Sequence, residues 1–286
     1  MQKFIKLSNG LHMPNLIQGI PLLRDYANHG FESFYNILKL SLDCGIRAFD
    51  TSHDYGKSEI LLGKSIKRLL KKTQYRRDDI FITTKIGNYQ QQIGNIEGAV
   101  DAALKTIGVD QIDLMLLHWP VPNLYEKNFQ ALEKMYKAGK VRSMGIANVV
   151  ERHVQNIEKI LGVSMFHVAQ FEYHPFRTKP ALVSMCKERG IAIQAYSSLL
   201  QMLPKITEND VLLELSHKYG KTIPQIVLRW DIQQNIAPIF RTYNPRHLAE
   251  TADVFDFEIS SDDINRVSNL NENYKLHPES MNCPGF

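Results

Sequence analysis

Three polar residues in the first half of the chain stand where short apolar or β-branched runs end. Asp50, Lys85 and His118 each follow directly on such a run, and we interpret the runs as buried strands. If these strands lie parallel in one sheet, a carboxylate, an ammonium and an imidazole converge at its carboxyl edge. Each residue alone has an ordinary alternative, because a strand-end Asp often caps a turn and a strand-end Lys or His is often solvated. The combination predicts a functional site.

Tyr55, five residues after Asp50, gives this group a specific chemical use. A phenol with a pKa of about 10 is a poor acid at neutral pH unless nearby cations stabilise its phenolate. We expect Lys85 to lower the pKa of Tyr55, and Asp50 to pair with Lys85 and hold it. We expect His118 to donate a hydrogen bond to the substrate oxygen. Such a group suits delivery of a proton during reduction of a carbonyl.

The elements that position these residues alternate along the chain. Eight apolar runs rich in Ile, Val, Leu and Phe are separated by amphipathic segments. We interpret the runs as parallel strands at residues 16–19, 47–50, 80–84, 113–118, 143–147, 167–171, 192–196 and 237–241. Eight strand–helix units predict a (β/α)8 TIM barrel. A doubly wound sheet uses the same alternation, but no GxGxxG sequence follows the first strand, so the barrel is favoured.

Turn and cap residues mark further elements. Residues 95–107 carry one apolar stripe, with Asn95 as the predicted N-cap and Gly108 at the end. The long gap before the last strand predicts an extra helix within residues 208–219. Ahead of the barrel, the Asn-Gly pair of residues 9–10 lies between apolar segments and predicts a β-hairpin, which we expect to cap the amino-terminal face of the barrel.

The composition is that of an ordinary globular protein. The 286 residues are 44% hydrophobic and 22% charged, enough for one large core, and we expect residues 1–286 to form a single domain. The net charge of +4 is scattered, so neither a nucleic-acid partner nor a membrane partner is indicated, and no window is apolar enough for a membrane span. The three cysteines have neither disulfide nor zinc spacing, which favours a reducing cytoplasm.

Three segments resemble the catalytic motifs of the aldo-keto reductases. Residues 45–59, followed by Leu-Gly at 62–63, resemble the family signature around its catalytic Asp and Tyr. Residues 77–85 resemble the segment that ends in the catalytic lysine, and residues 110–120 resemble the one that holds the histidine. The resemblance covers nearly the whole chain. It implies a barrel oxidoreductase that uses NAD(P)H, with a catalytic tetrad of Asp50, Tyr55, Lys85 and His118.

The resemblance extends to the nicotinamide side of the cofactor site. Residues 145–148 resemble the family's GxSN and residues 170–175 its QxEYHP, which implies that Asn148 and Gln170 hold the carboxamide. Ala147 replaces the usual serine and removes one hydrogen bond, at a cost of about 1 kcal/mol in cofactor affinity. The remaining positions on this side are the stacking tyrosine Tyr196, its neighbour Ser197, and Gly19.

Residues 240–251 resemble the family's adenosine-binding segment, PKSxxPxRIxEN, with several changes. Arg241 stands where Lys is usual and suits bidentate pairing with a 2′-phosphate, whereas His247 in place of Arg is only partly charged at neutral pH. The other positions implied are Thr242, Glu250 and Thr251. The segment favours NADPH and leaves NADH open.

The resemblance implies a small-molecule carbonyl substrate, and its identity depends on the loops after the strands. Trp119, beside His118, is the expected wall of the pocket, and Tyr26 and Met202 are further candidates. By the standards of the family, segments 200–210 and 271–286 are short, which predicts a lightly covered, open pocket; the alternative is that these loops are merely trimmed.

The sequence also allows alternative functions. A regulatory barrel that binds nucleotide with little turnover, as potassium-channel β-subunits in this family partly do, is the main alternative in function. A phosphate-binding isomerase or lyase needs a glycine-rich loop near the last strands, and residues 240–244 contain no glycine. We expect no metal site, because His167 and His174 suit packing better than ligation.

Overall fold

A computed structural model describes residues 3–20, 23–162 and 165–277, with residues 23–29 described by their backbone alone. An antiparallel hairpin of β1 (Phe4–Lys6) and β2 (His12–Pro14) precedes eight parallel strands that close into a barrel. The barrel strands are β3 (Ile17–Gly19), β4 (Ala48–Asp50), β5 (Phe81–Ile86), β6 (Leu114–Leu117), β7 (Met144–Ala147), β8 (Val168–Glu172), β9 (Ala192–Tyr196) and β10 (Ile236–Phe240). Because β10 pairs with β3, the sheet has no open edge, and the doubly wound alternative is wrong.

Helices follow the strands around the outside of the barrel. They are α1 (Leu23–Asp43), α2 (Ser58–Lys72), α3 (Asn88–Gln92), α4 (Ile96–Ile107), α5 (Tyr125–Lys137), α6 (Glu151–Leu161), α7 (Pro180–Glu188), α8 (Pro204–Thr207), α9 (Asp210–Tyr219), α10 (Ile223–Gln233), α11 (Pro245–Ala252) and α12 (Ser261–Ser268). The extra helix predicted before the last strand is confirmed as α9. No helix in the described ranges is long and apolar enough to cross a membrane.

The two residues predicted to bound α4 stand at its ends. Gly108 ends the helix in the left-handed conformation, with φ of 76°, as predicted. Asn95 stands at the N-cap position, but its side chain makes no capping hydrogen bond. Its amide group lies against Gly98, in the space that a side chain there would fill.

The hairpin closes the amino-terminal end of the barrel, as predicted. Its buried residues Ile5, Leu7 and Met13 pack in one cluster with residues that open the barrel strands, among them Ala48 and Leu114. Full burial of such side chains contributes about 1.5–3 kcal/mol each. Three of them supply an amount comparable to the net stability of a typical domain, which is about 5–15 kcal/mol.

The strand register brings the polar residues to one end of the barrel. Asp50 of β4 is level with Gly19 of β3 on one side and Thr83 of β5 on the other. Lys85 lies two residues further along β5, toward the carboxyl end. Since alternate residues of a strand point to the same face, Thr83 and Lys85 share a face of β5. The carboxyl ends of β4 and β5 therefore present Asp50 and Lys85 to each other.

Candidate active site

A buried ion pair forms the base of the candidate site. The Nζ atom of Lys85 lies 2.6 Å from Oδ1 of Asp50 and 2.8 Å from the backbone oxygen of Thr51, and the lysine is only 2% exposed. Burial by itself lowers the pKa of Lys85, but Asp50 and Tyr55 beside it outweigh burial and hold the pKa above its usual value. Lys85 is therefore a buried cation that Asp50 holds in place.

Tyr55 lies above this cation, half-buried, at the end of the short 3-10 turn His53–Tyr55. The ammonium of Lys85 is 5.1 Å from the centre of the phenol ring. Burial raises the pKa of Tyr55, whereas Lys85 lowers it as expected and Asp50 raises it again. The net direction is upward, opposite to the expectation from the sequence, because burial outweighs the cation. At neutral pH, Tyr55 therefore keeps its proton.

His118 stands at the end of β6 with its ring edge against Tyr55. The two rings are 5.5 Å apart at an angle of 78°. The Nδ1 atom of His118 lies 2.9 Å from Oδ2 of Asp54 and 3.2 Å from Oγ of Ser52. Burial lowers the pKa of His118, and the hydrogen bond with Asp54 opposes this only in part. The imidazole is therefore neutral at pH 7 in the free protein.

A second layer of amides holds Asp50 from the far side. Nε2 of Gln170 donates to Oδ2 of Asp50 and to Oε1 of Gln194, both at 2.8 Å. Gln194 in turn donates to the sulfur of Met13 at 3.2 Å, which connects the site to the hairpin below. The side-chain hydrogen bonds of Gln170 use Nε2, so its side-chain oxygen Oε1 is left to accept from a ligand.

Asn148 and Tyr196 occupy the rim next to this network. The hydroxyl of Tyr196 donates to Oδ1 of Asn148 at 2.6 Å, and Asn148 donates to the backbone oxygen of His118 at 2.9 Å. Asn148 and Ser197 both have positive φ, at 60° and 56°. Residues held in this region are strained, and such residues concentrate at functional sites. The hydrogen bond between Tyr196 and Asn148 joins the ends of β9 and β7 at this rim.

The C-terminal segment reaches the same rim, a contact that no sequence motif indicated. Glu172 at the end of β8 accepts from the backbone amides of Leu276 and His277 at 2.8 and 3.2 Å. The ring of His277 then lies 3.1 Å from the hydroxyl of Ser197, measured from Nε2, with its centre 5.9 Å from that of Tyr196. The tail therefore contacts two of the predicted cofactor residues.

The adenosine-side residues lie around the end of β10 and on α11. Arg241, His247 and Glu250 are exposed there, and the hydroxyl of Thr242 accepts from the amide of Asn244 at 3.0 Å. Gly19 lies next to them, and a side chain on it would come within 3.3 Å of Ile239. The buried residue of the set is Thr251, at 5% exposure.

The residues predicted to line the substrate pocket are Trp119, Met202 and Tyr26. Trp119 is half-buried directly after His118, and Met202 is 42% exposed in the segment after β9. The side chain of Tyr26 lies outside the described residues. Met202 ends three consecutive residues with positive φ, Leu200 to Met202, which is a strained turn at the carboxyl face.

No group of three or more His, Cys, Asp or Glu residues in the described part of the chain is arranged to hold a metal ion. His167 accepts from the amide of Met144 at 3.0 Å, and His174 pairs with Glu172 at 3.1 Å.

Comparison with known proteins gives consistent matches along the chain. The sequence profile of the aldo/keto reductase family matches residues 23–272. A glyoxal reductase of Bacillus subtilis is 33% identical over 274 residues, which are 96% of this chain and 95% of that protein. A crystal structure of a silkworm (Bombyx mori) aldo-keto reductase has a TM-score of 0.90 at 25% identity, covering 97% of this chain and 90% of that one. A second silkworm enzyme, crystallised in complex with NADP, gives a TM-score of 0.88 at 25% identity, covering 98% and 96% of the two chains.

Proposed function

This chain belongs to the aldo/keto reductase family, and we propose that Tyr55 is the acid of its NAD(P)H-dependent carbonyl reduction. The observation that carries the proposal is the buried cation below the phenol. Lys85 is held by Asp50 at 2.6 Å and lies 5.1 Å from the ring of Tyr55. A proton donor with a fixed cation beside it, at the carboxyl end of the barrel, is suited to general acid catalysis.

The proton balance of the step follows from these charges. Tyr55 holds its proton at neutral pH because burial raises its pKa. When that proton passes to the substrate oxygen, the phenolate left behind is stabilised by the Lys85 ammonium. Asp50 keeps Lys85 in place and charged throughout. In the oxidation of an alcohol the same phenolate accepts the proton.

The residues at the rim fit NAD(P)H, which supplies the hydride when bound. The free carbonyl oxygen of Gln170 and the amide of Asn148 offer an acceptor and a donor for a carboxamide. Tyr196 offers a ring face of the kind that stacks on an aromatic ligand. Ala147 is buried and adds no polar atom, so the carboxamide relies on Gln170 and Asn148.

NADPH is the preferred coenzyme under this proposal, with NADH as the alternative. Arg241 is exposed at the end of β10, where a guanidinium suits a 2′-phosphate. The silkworm enzyme crystallised with NADP supports the same choice. Replacing Arg241 with Ala removes a charge-assisted bond and should weaken NADPH binding about 10- to 100-fold, with little change for NADH. Equal losses for the two coenzymes, measured by fluorescence titration, would argue against 2′-phosphate recognition.

The proposed substrate is a small carbonyl compound, as the name of the glyoxal reductase relative suggests. We propose that Trp119 forms one wall of its pocket, and that residues 1–286 act as one domain, since the elements of the barrel and its hairpin run from Phe4 to Ser268. The scattered cysteines support a reducing compartment, the cytoplasm.

A carbonyl panel tests the function directly. The purified protein is assayed for oxidation of NADPH and NADH with aldehydes, α-dicarbonyls and ketones. Turnover with at least one class, faster with NADPH, is the expected result. Tight NADPH binding with no turnover across the panel would instead support the regulatory barrel.

A further inference from the structure

Asp54, which precedes Tyr55 in the turn, contacts the candidate active site through its hydrogen bond with His118. Its Oδ2 lies 2.9 Å from Nδ1 of His118, and the hydroxyl of Ser52 lies 3.2 Å from the same nitrogen. A carboxylate only accepts hydrogen bonds, so Nδ1 carries the ring proton and donates it to Asp54. The other ring nitrogen, Nε2, has no partner among the described residues. It is therefore the atom left for substrate.

The loop after β5 also contacts the carboxylate of Asp54. A side chain on Gly87 would collide with Oδ1 of Asp54, and the backbone amide of Asn88 donates to the same carboxylate. Gly87 has ordinary backbone angles, φ −65° and ψ 163°, so space and not conformation calls for glycine there. Asp54 is 40% exposed, yet it is held from two sides. This is a built position for a carboxylate.

We propose that Asp54 is a positioning residue that fixes the proton of His118 on Nδ1 and provides the counter-charge for its imidazolium form. The inference rests on the proposed function, since it concerns the same site. A carbonyl oxygen and the bare Nε2 of a neutral imidazole are both acceptors, so neutral His118 has no hydrogen bond to give the substrate. In the imidazolium, one N–H faces Asp54 and the other is free to bind the carbonyl oxygen. His118 thus assists reduction only when it is protonated.

The charges around His118 set how often that form occurs. Asp54 and Tyr55 face it from the turn, Asp50 from β4 and Lys85 from β5. Burial lowers the pKa of His118 and Lys85 lowers it further, while Asp54 and Asp50 raise it. Loss of the Asp54 charge therefore lowers the pKa again, and the imidazolium becomes rarer at any given pH.

Nitrogen-15 NMR of the histidine rings in the coenzyme-free protein tests the pairing. In Asp54→Asn, the pKa of His118 should fall by about one pH unit, the low end for loss of a neighbouring opposite charge, because Asp54 is partly exposed. Nδ1 should keep its proton, since an amide oxygen still accepts. In Asp54→Ala, the preference for Nδ1 should be lost as well. An unchanged or raised pKa of His118 in both variants would overturn the proposal.

The pH profile of kcat/KM for carbonyl reduction tests the consequence. In the wild type, kcat/KM should fall as the pH rises through the pKa of His118, and in Asp54→Asn the fall should come about one pH unit lower. Above both pKa values, the variant should then be about 10-fold slower. Matching profiles would overturn the proposal even if the NMR pairing is present. Failure of the proposed function looks different, because the wild type itself would then turn over no carbonyl while NMR still measures the pairing.

Gly87 supplies a variant that moves the carboxylate without removing it. Gly87→Ala should lower the pKa of His118 in the wild-type background and change little further in Asp54→Ala, because in that variant the added methyl group meets only the end of the Gln90 side chain. Additive effects would contradict that route. Asp101→Asn is the matched control: Asp101 is an exposed carboxylate on α4 that pairs with Lys140, and its loss should leave both readouts unchanged.

Discussion

Two buried carboxylates at opposite ends of the barrel show what separates a structural ion pair from a catalytic one. Asp113, directly before β6 at the amino-terminal end, is 1% exposed and accepts from Arg77 at 2.6 Å and from Arg142 at 2.8 Å. It also accepts from the backbone amide of Ile82 at 2.9 Å. Asp50 at the carboxyl end is similarly buried and bonds Lys85 at 2.6 Å.

The difference lies in what each cation faces. Both arginines on Asp113 are partly exposed, and Arg77 also donates to two backbone oxygens, so their role is structural. Lys85 is enclosed, and the group above it is a half-buried phenol that holds a transferable proton. A buried ion pair by itself is therefore no sign of catalysis. A sign of catalysis is a titratable group beside the ion pair, here the phenol of Tyr55 at the carboxyl end of the barrel.

Substitution of Lys85 by Met should have the largest effect on turnover. The phenolate of Tyr55 loses its cation, and kcat should fall by about 100- to 10,000-fold, the range for loss of acid–base assistance. Asp50 is also left unpaired, so the free energy of unfolding in urea should fall by about 3 kcal/mol. A variant with normal kcat would show that the two carboxylates are equivalent, and the comparison would fail.

Asp113→Asn is the counterpart at the other end. It removes a buried charge between Arg77 and Arg142, and the free energy of unfolding should fall by about 2–3 kcal/mol, less than for an enclosed pair because both guanidinium groups are partly exposed. The kcat of the folded enzyme should stay within about twofold of the wild type. Urea unfolding and kcat at low temperature measure the two quantities separately. A large loss of kcat would mean that the amino-terminal network also supports the chemistry.

Gln194→Leu probes how far the catalytic network extends toward the hairpin. One N–H bond of Gln170 loses its acceptor, and Asp50 keeps its own bond to Gln170. The KM for NADPH should rise about 3- to 10-fold with kcat nearly unchanged, as expected for loss of one neutral hydrogen bond that orients a ligand contact. A fall in kcat comparable to that of Lys85→Met would place Gln194 in the catalytic network itself.

The sequence predicted the barrel and the convergence of its polar strand ends well. The run at residues 192–196 coincides with β9, while the run at 113–118 is trimmed to Leu114–Leu117. These predictions succeed because buried strands and their bounding turn residues are encoded locally. Asp50 and Lys85 lie within hydrogen-bond distance, as the strand ends suggested.

The features that the sequence did not reveal depend on burial and on contacts between residues far apart in the chain. The net rise in the pKa of Tyr55 comes from burial, which no spacing of residues displays. The contact between Ser197 and His277 joins positions 80 residues apart. The partner of His118 is different, because Asp54 and Ser52 lie inside the very segment that resembles the family signature. Their acceptor groups beside a strand-end histidine were a readable signal that sequence reasoning missed.

Removal of the phenol hydroxyl tests the central claim most directly. Tyr55→Phe keeps the ring above Lys85 and removes the proton that we assign to catalysis. NADPH should bind with the wild-type affinity in a fluorescence titration, while kcat for the best carbonyl substrate falls by about 100- to 10,000-fold. Wild-type turnover in this variant would contradict the assignment of Tyr55 as the acid.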